Sequence, residues 1–187
     1  FDGSLQLLNE DTGEIILEDA DAFFGNNSQL SFIGDAGINY LVRVTSSNAG
    51  ETGQYSLRTT PIASEALTLD DVINGNLDVT DFANPTRFGT FADDYLLSSL
   101  PVNQQISIQL NSDAFDTYLQ LIDADTGNVI SDDDDSASGR NSELIVTGAA
   151  DTDYLIRVTS FTDNATGAYT IATSPVTTSE ITVNASI

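Results

Sequence analysis

A chain of 187 residues with 40% hydrophobic content can form one large or two small packed domains. Its 5 basic residues, all Arg, stand against 29 Asp and Glu, and the formal charge of -24 repels nucleic-acid phosphates and anionic lipid head groups while attracting cations. Without His or Cys, the chain has no Ser-His-Asp or Cys-His catalysis, no thiol redox chemistry and no imidazole or thiolate zinc site; oxygen-ligated hard cations and carboxylate chemistry remain open.

In chain order, the first element is the run Phe1 to Leu7, and it returns at Phe115 to Leu121. The spacing of 114 residues then holds without a gap. Asp11-Thr12-Gly13 falls on Asp125-Thr126-Gly127, Asn27-Ser28 on Asn141-Ser142, Tyr40 to Ser46 on Tyr154 to Ser160, and Pro61 on Pro175. Of the 61 aligned pairs, 28 are identical, so the chain carries two copies of one folding unit. Alternation such as Tyr154, Ile156 and Val158 against Leu155, Arg157 and Thr159 is strand periodicity, and Gly, Asn, Asp and Ser punctuate the runs.

The complete copy predicts strands near 67–72, 93–99, 105–111, 117–123, 128–131, 143–147, 153–160 and 167–173, with Asn74-Gly75 as a tight-turn signal. The fold class expected is all-β: tandem antiparallel β-sandwich, jelly-roll-like modules, the N-terminal one incomplete. Residues 1–61 form the incomplete module, 62–175 the complete one and 176–187 a C-terminal extension strand. Residues 67–114 have no counterpart before Phe1, which lacks a preceding Met, so the chain reads as a processed protein or a piece of a longer one. Ile181 to Ile187 match the start of that region, and Ile181, Val183, Ala185 and Ile187 are the expected subunit contacts. No apolar run approaches the ~20 residues of a membrane helix.

Residues 88–174 resemble the bacterial pre-peptidase C-terminal domain family. The resemblance rests on Phe91 to Leu97, Gln104 to Ile108, Phe115 to Leu119, Ser131 to Asp135 with Asn141-Ser142, Tyr154 to Val158 and Gly167 to Thr170. It implies a secreted β-sandwich module found beside peptidases or in tandem on bacterial surface proteins, with relatives that bind calcium or collagen.

Two acidic groupings are candidate calcium sites, since a hard cation accepting six to eight oxygens relieves carboxylate repulsion. In the second copy these are Asp132, Asp133, Asp134 and Asp135, joined by Asp116, Asp123 and Asp125 if a hairpin brings them near; in the first copy they are Asp2, Asp11, Asp19 and Asp21. The competing reading is a solvated acidic turn. Each Asp-Thr-Gly matches the aspartic-protease triplet but sits among acidic residues, where it reads as a hairpin turn. Arg43 and Arg157 are expected on the outer face, each with a surface carboxylate. Phe23-Phe24 mark a contact surface or a cover for the incomplete sheet.

No catalytic set emerges, and the chain is expected not to be an enzyme. Two functions compete. One is an extracellular structural or adhesive protein that assembles head-to-tail when the C-terminal strand adds to the open module of a neighbour, with calcium as a stabiliser. The other is a substrate- or matrix-binding accessory module of a secreted bacterial peptidase.

Overall fold

The computed structural model describes residues 1–20, 27–32, 34–59, 64–98, 100–150 and 152–177. The strands are β1 (Gly3–Asn9), β2 (Ile15–Asp19), β3 (Tyr40–Ser46), β4 (Glu65–Ala66), β5 (Val72–Leu77), β6 (Phe82–Ala83), β7 (Phe91–Leu97), β8 (Gln105–Asn111), β9 (Thr117–Asp123), β10 (Val129–Asp133), β11 (Ser142–Thr147), β12 (Tyr154–Ser160) and β13 (Gly167–Pro175). Apolar residues alternate along most of them, because a half-buried strand turns every second side chain to the core.

The strands from β4 onward build a β-sandwich. One sheet has the order β10-β9-β12-β7-β4, with β6 also on β7; the other has the order β11-β8-β13-β5. All pairings are antiparallel except the short parallel contact of β4 with β7. Phe91, Tyr95, Leu119, Leu121, Ile156 and Val158 of the first sheet meet Leu77, Ile106, Ile108, Leu110, Tyr169 and Ile171 of the second in one buried core.

Residues 1–46 repeat part of this plan. Their sheet runs β2-β1-β3, which corresponds strand for strand to β10-β9-β12. Register is repeated as well: Leu5 faces Val44 as Leu119 faces Val158. The hairpin turns are also alike. Asn9 Oδ1 accepts the amides of Asp11 and Thr12 at 2.9 and 3.0 Å, and Asp123 Oδ1 accepts those of Asp125 and Thr126 at 3.0 and 2.8 Å. Gly13 and Gly127 both sit at φ 72°, where a Cβ would be strained. The two Asp-Thr-Gly triplets are therefore turns.

The repeat stops at strands whose partners are missing. In the sandwich, β11 pairs only with β8, and β13 pairs with β8 and β5. Nothing in residues 1–61 corresponds to β5 or β8. Residues 28–32 and 53–59, which align with β11 and β13, accordingly form no strand. A strand without a hydrogen-bonding neighbour loses its ladder and its register.

Two expectations are corrected. Asn74-Gly75 is not a turn but the middle of β5, opposite Thr170 and Tyr169. A Cβ on Gly75 would lie 2.2 Å from Tyr169 Cζ, so the glycine serves close approach of an aromatic ring. Arg157 is not on an open outer face: it is 7% exposed, because Phe82 and Asn84 close over it.

Candidate functional site

The acidic loop divides into structural and free carboxylates. Asp133 ends β10 and holds the loop shut: its Oδ2 accepts the amides of Ser136 at 3.1 Å and Glu143 at 2.8 Å. Asp19 does the same in the first copy, where its Oδ2 accepts the Gln29 amide at 2.7 Å. Ser142 Oγ donates to the Asp134 carbonyl at 2.9 Å, and its counterpart Ser28 donates to the Ala20 carbonyl at 3.1 Å. Asp132 is exposed and accepts the Tyr118 hydroxyl. Burial first, then Asp132, pushes that phenol up to about 12. The Arg87 guanidinium stacks on the rings of Tyr118 and Phe161 at 4.3 and 4.7 Å.

The expected hairpin forms between β9 and β10, but it does not gather all the acids. Asp116 lies before β9 and Asp123 at its far end, and seven rises of about 3.4 Å each separate them by roughly 24 Å. Asp123 is held below the usual carboxylate range by the Thr126 and Asp125 amides, Thr126 first. Asp125 and Asp11 are exposed on the turns. Asp116 stays near the loop: partial desolvation first, then Asp134, Asp116 and Asp133, raise the Asp135 carboxyl. One carboxylate oxygen each of Asp116 and its counterpart Asp2 is buried with no hydrogen-bond partner. Among the described residues, no group of three or more acidic side chains is placed to hold a metal ion. Asp21, Phe23-Phe24 and the contacts Ile181, Val183, Ala185 and Ile187 lie outside the described residues.

A polar group that sequence reasoning passed over sits between β5 and β7. Tyr95 and Tyr169 share a 2.6 Å hydrogen bond, and Tyr169 donates to Asp93 Oδ2 at 2.7 Å. Burial raises both phenols and the Asp93 carboxyl, so the hydroxyls stay protonated and act as donors. Nearby Asp81 is pushed up to about 6 by burial first, with Asp93 and Asp78 adding like charge. The cluster joins the two sheets. Nothing beside Gly75 in the sequence signals it, since residues 69–79 hold no aromatic and Tyr169 is 94 positions away.

The feature without a counterpart in the sandwich is the edge of β3. Its twin β12 lies between β9 and β7, whereas among the described residues β3 pairs with β1 alone. Ile156 is 0% exposed and Leu155 half-buried, but their counterparts Val42 and Leu41 are 37% and 46% exposed. Ile15, Ile16, Phe32 and Leu57 add to the exposed apolar surface of this copy. The polar row on the outer face differs in the same sense. Arg157 gives Nε and Nη2 to the two oxygens of Asp94, both at 2.8 Å, and Asn84 binds Gln120. In the first copy Arg43 is exposed, and among the described residues its side chain reaches only Gln6 Oε1, at 3.1 Å. An unpaired strand edge with apolar side chains around it is a place where another extended chain can add.

Among the described residues, no helix is long and apolar enough to cross a membrane. No protein-family model matches the chain, and no curated protein matches it. Among solved structures it is similar to a periplasmic inhibitor of g-type lysozyme from Aeromonas hydrophila, at 12% identity and TM-score 0.42 over 61% of this chain and 100% of that one. It is likewise similar to the pre-peptidase C-terminal domain of a collagenase from Bacillus anthracis, at 18% identity and TM-score 0.46 over 62% of this chain and 99% of that one.

Proposed function

We propose that this chain is a non-catalytic accessory module of a secreted protein and that it works by holding an extended polypeptide along the free edge of β3. The observation that carries this reading is the contrast between two nearly identical strands: among the described residues, β12 is paired on both sides and β3 on one. Strand addition supplies the missing backbone hydrogen bonds and covers Leu41 and Val42. Service beside a bacterial peptidase, with substrate, matrix polymer or the enzyme itself as the held chain, is the setting suggested by what the similar collagenase domain is called. Hydrogen exchange tests the proposal. An added extended peptide should slow the β3 amides and leave those of β12 unchanged; peptides that bind without protecting β3 refute it.

A filament is the second reading, and one alignment favours it. Residues 181–187 match 67–73, which lead into β5, and β5 pairs with β13. The β13 counterpart, 53–59, has no strand partner among the described residues. A tail from a neighbour would fit there, and polymers that persist after deletion of 179–187 would refute this. Calcium belongs to the proposal as an ion drawn to the 132–135 loop by charge, where it would relieve the crowding of Asp135; the side chains would have to close around it, because no three acids among the described residues are placed to hold it.

A further inference from the structure

We infer that the edge of β3 selects its occupant by a carboxylate opposite Arg43, and that the occupant is a β7-type segment of this repeat unit. The inference rests on the strand-addition reading. β3 and β12 differ only at Val42, which replaces Ile156. The edge of β12 that corresponds to the free edge of β3 is taken by β7, antiparallel, with Tyr154 opposite Leu97, Arg157 opposite Asp94 and Thr159 opposite Ala92. Carried to β3, this register sets a leucine against Tyr40 and an aspartate against Arg43.

Charge supports the same choice. Arg43 is the only basic residue in 1–46, a stretch with many acids in a chain of net charge -24. Gln6 is its one side-chain hydrogen-bond partner among the described residues, and Gln6 is itself tied to Glu18 at 2.8 Å. The Arg157–Asp94 pair shows what the guanidinium accepts when the edge is filled: a bidentate carboxylate. A neutral residue there leaves the covered guanidinium half satisfied, and a basic one meets like charge. The extension strand 176–187 has one acid, Glu180, and none from 181 onward, so a tail paired through 181–187 sets no carboxylate against Arg43.

The test uses a labelled peptide of residues 88–98, its Asp94→Asn and Asp94→Arg forms, and the full chain with and without Arg43→Glu. Fluorescence anisotropy should show the parent peptide binding, the Asp94→Asn form binding about tenfold or more weakly, and the Asp94→Arg form weaker still. On the Arg43→Glu chain the order should invert, which also shows that the variant is folded. Equal binding of all three peptides, with β3 still protected, overturns the carboxylate rule and leaves strand addition standing. Failure of every peptide to protect β3 overturns both. Self-association of the chain alone that vanishes with Arg43→Glu supports the inference. Self-association that ignores this change and vanishes when 179–187 are deleted puts the tail at the edge and overturns it.

Discussion

Removing the Asp94 carboxylate should cost the sandwich far more than removing the arginine at the same place in the first copy. The side chains of Arg157 and Asp94 are 8% and 6% exposed, and their two hydrogen bonds are 2.8 Å long. Charge-assisted bonds contribute about 1.5–3 kcal/mol each. Breaking a buried pair from one side also leaves the other charge uncompensated, and such losses run to about 3–5 kcal/mol. Asp94→Ala should therefore lose about 4 kcal/mol. Arg43→Ala, at an exposed site with one neutral partner, should lose under about 0.5 kcal/mol. Urea unfolding measures both. With a slope near 2 kcal/mol/M, the Asp94→Ala midpoint should fall by about 2 M. The pair Asp94→Leu with Arg157→Met should recover most of that loss, since no lone charge is left. A midpoint shift for Asp94→Ala no larger than that for Arg43→Ala would refute the claim that covering by Phe82 and Asn84 decides the energy.

Four further outcomes are expected. Burial pushes the Asp81 carboxyl up to about 6 in the fold from an ordinary value of 3.8, so the folded state holds the extra proton between those pH values; its contribution to stability falls as pH rises from about 4 through 6, and Asp81→Asn should flatten that part of a melting-temperature profile. Gly75→Ala should cost about 1–3 kcal/mol in urea unfolding by pushing the Tyr169 ring, and Tyr169→Phe a similar amount by stranding Asp93 and Tyr95. Asp133→Ala should lose about 0.5–2 kcal/mol through its two backbone caps, while Asp125→Ala on the exposed turn should change stability by under about 0.5 kcal/mol. Calcium should raise the melting temperature, a chelator should reverse this, and Asp116→Asn should abolish it; calorimetry without heat of binding would remove calcium from the account.

Local patterning was enough for much of this protein. The 114-residue repeat, the all-β class, the Asp-Thr-Gly hairpins and strands such as 105–111 and 117–123 follow from alternation and turn chemistry, which act between neighbours in sequence. What only the tertiary structure decided depends on residues far apart in the chain. Gly75 looks like a turn until Tyr169, 94 positions later, takes the space of its side chain. Arg43 and Arg157 occupy nearly identical sequence settings, yet one is exposed and the other buried, because Phe82, Asn84 and Asp94 stand against the second and no described residue does the same for the first. The same holds for residues 28–32 and 53–59: their composition is that of strands, but a strand is stable only beside a partner, and among the described residues no counterpart of β5 or β8 lies beside them.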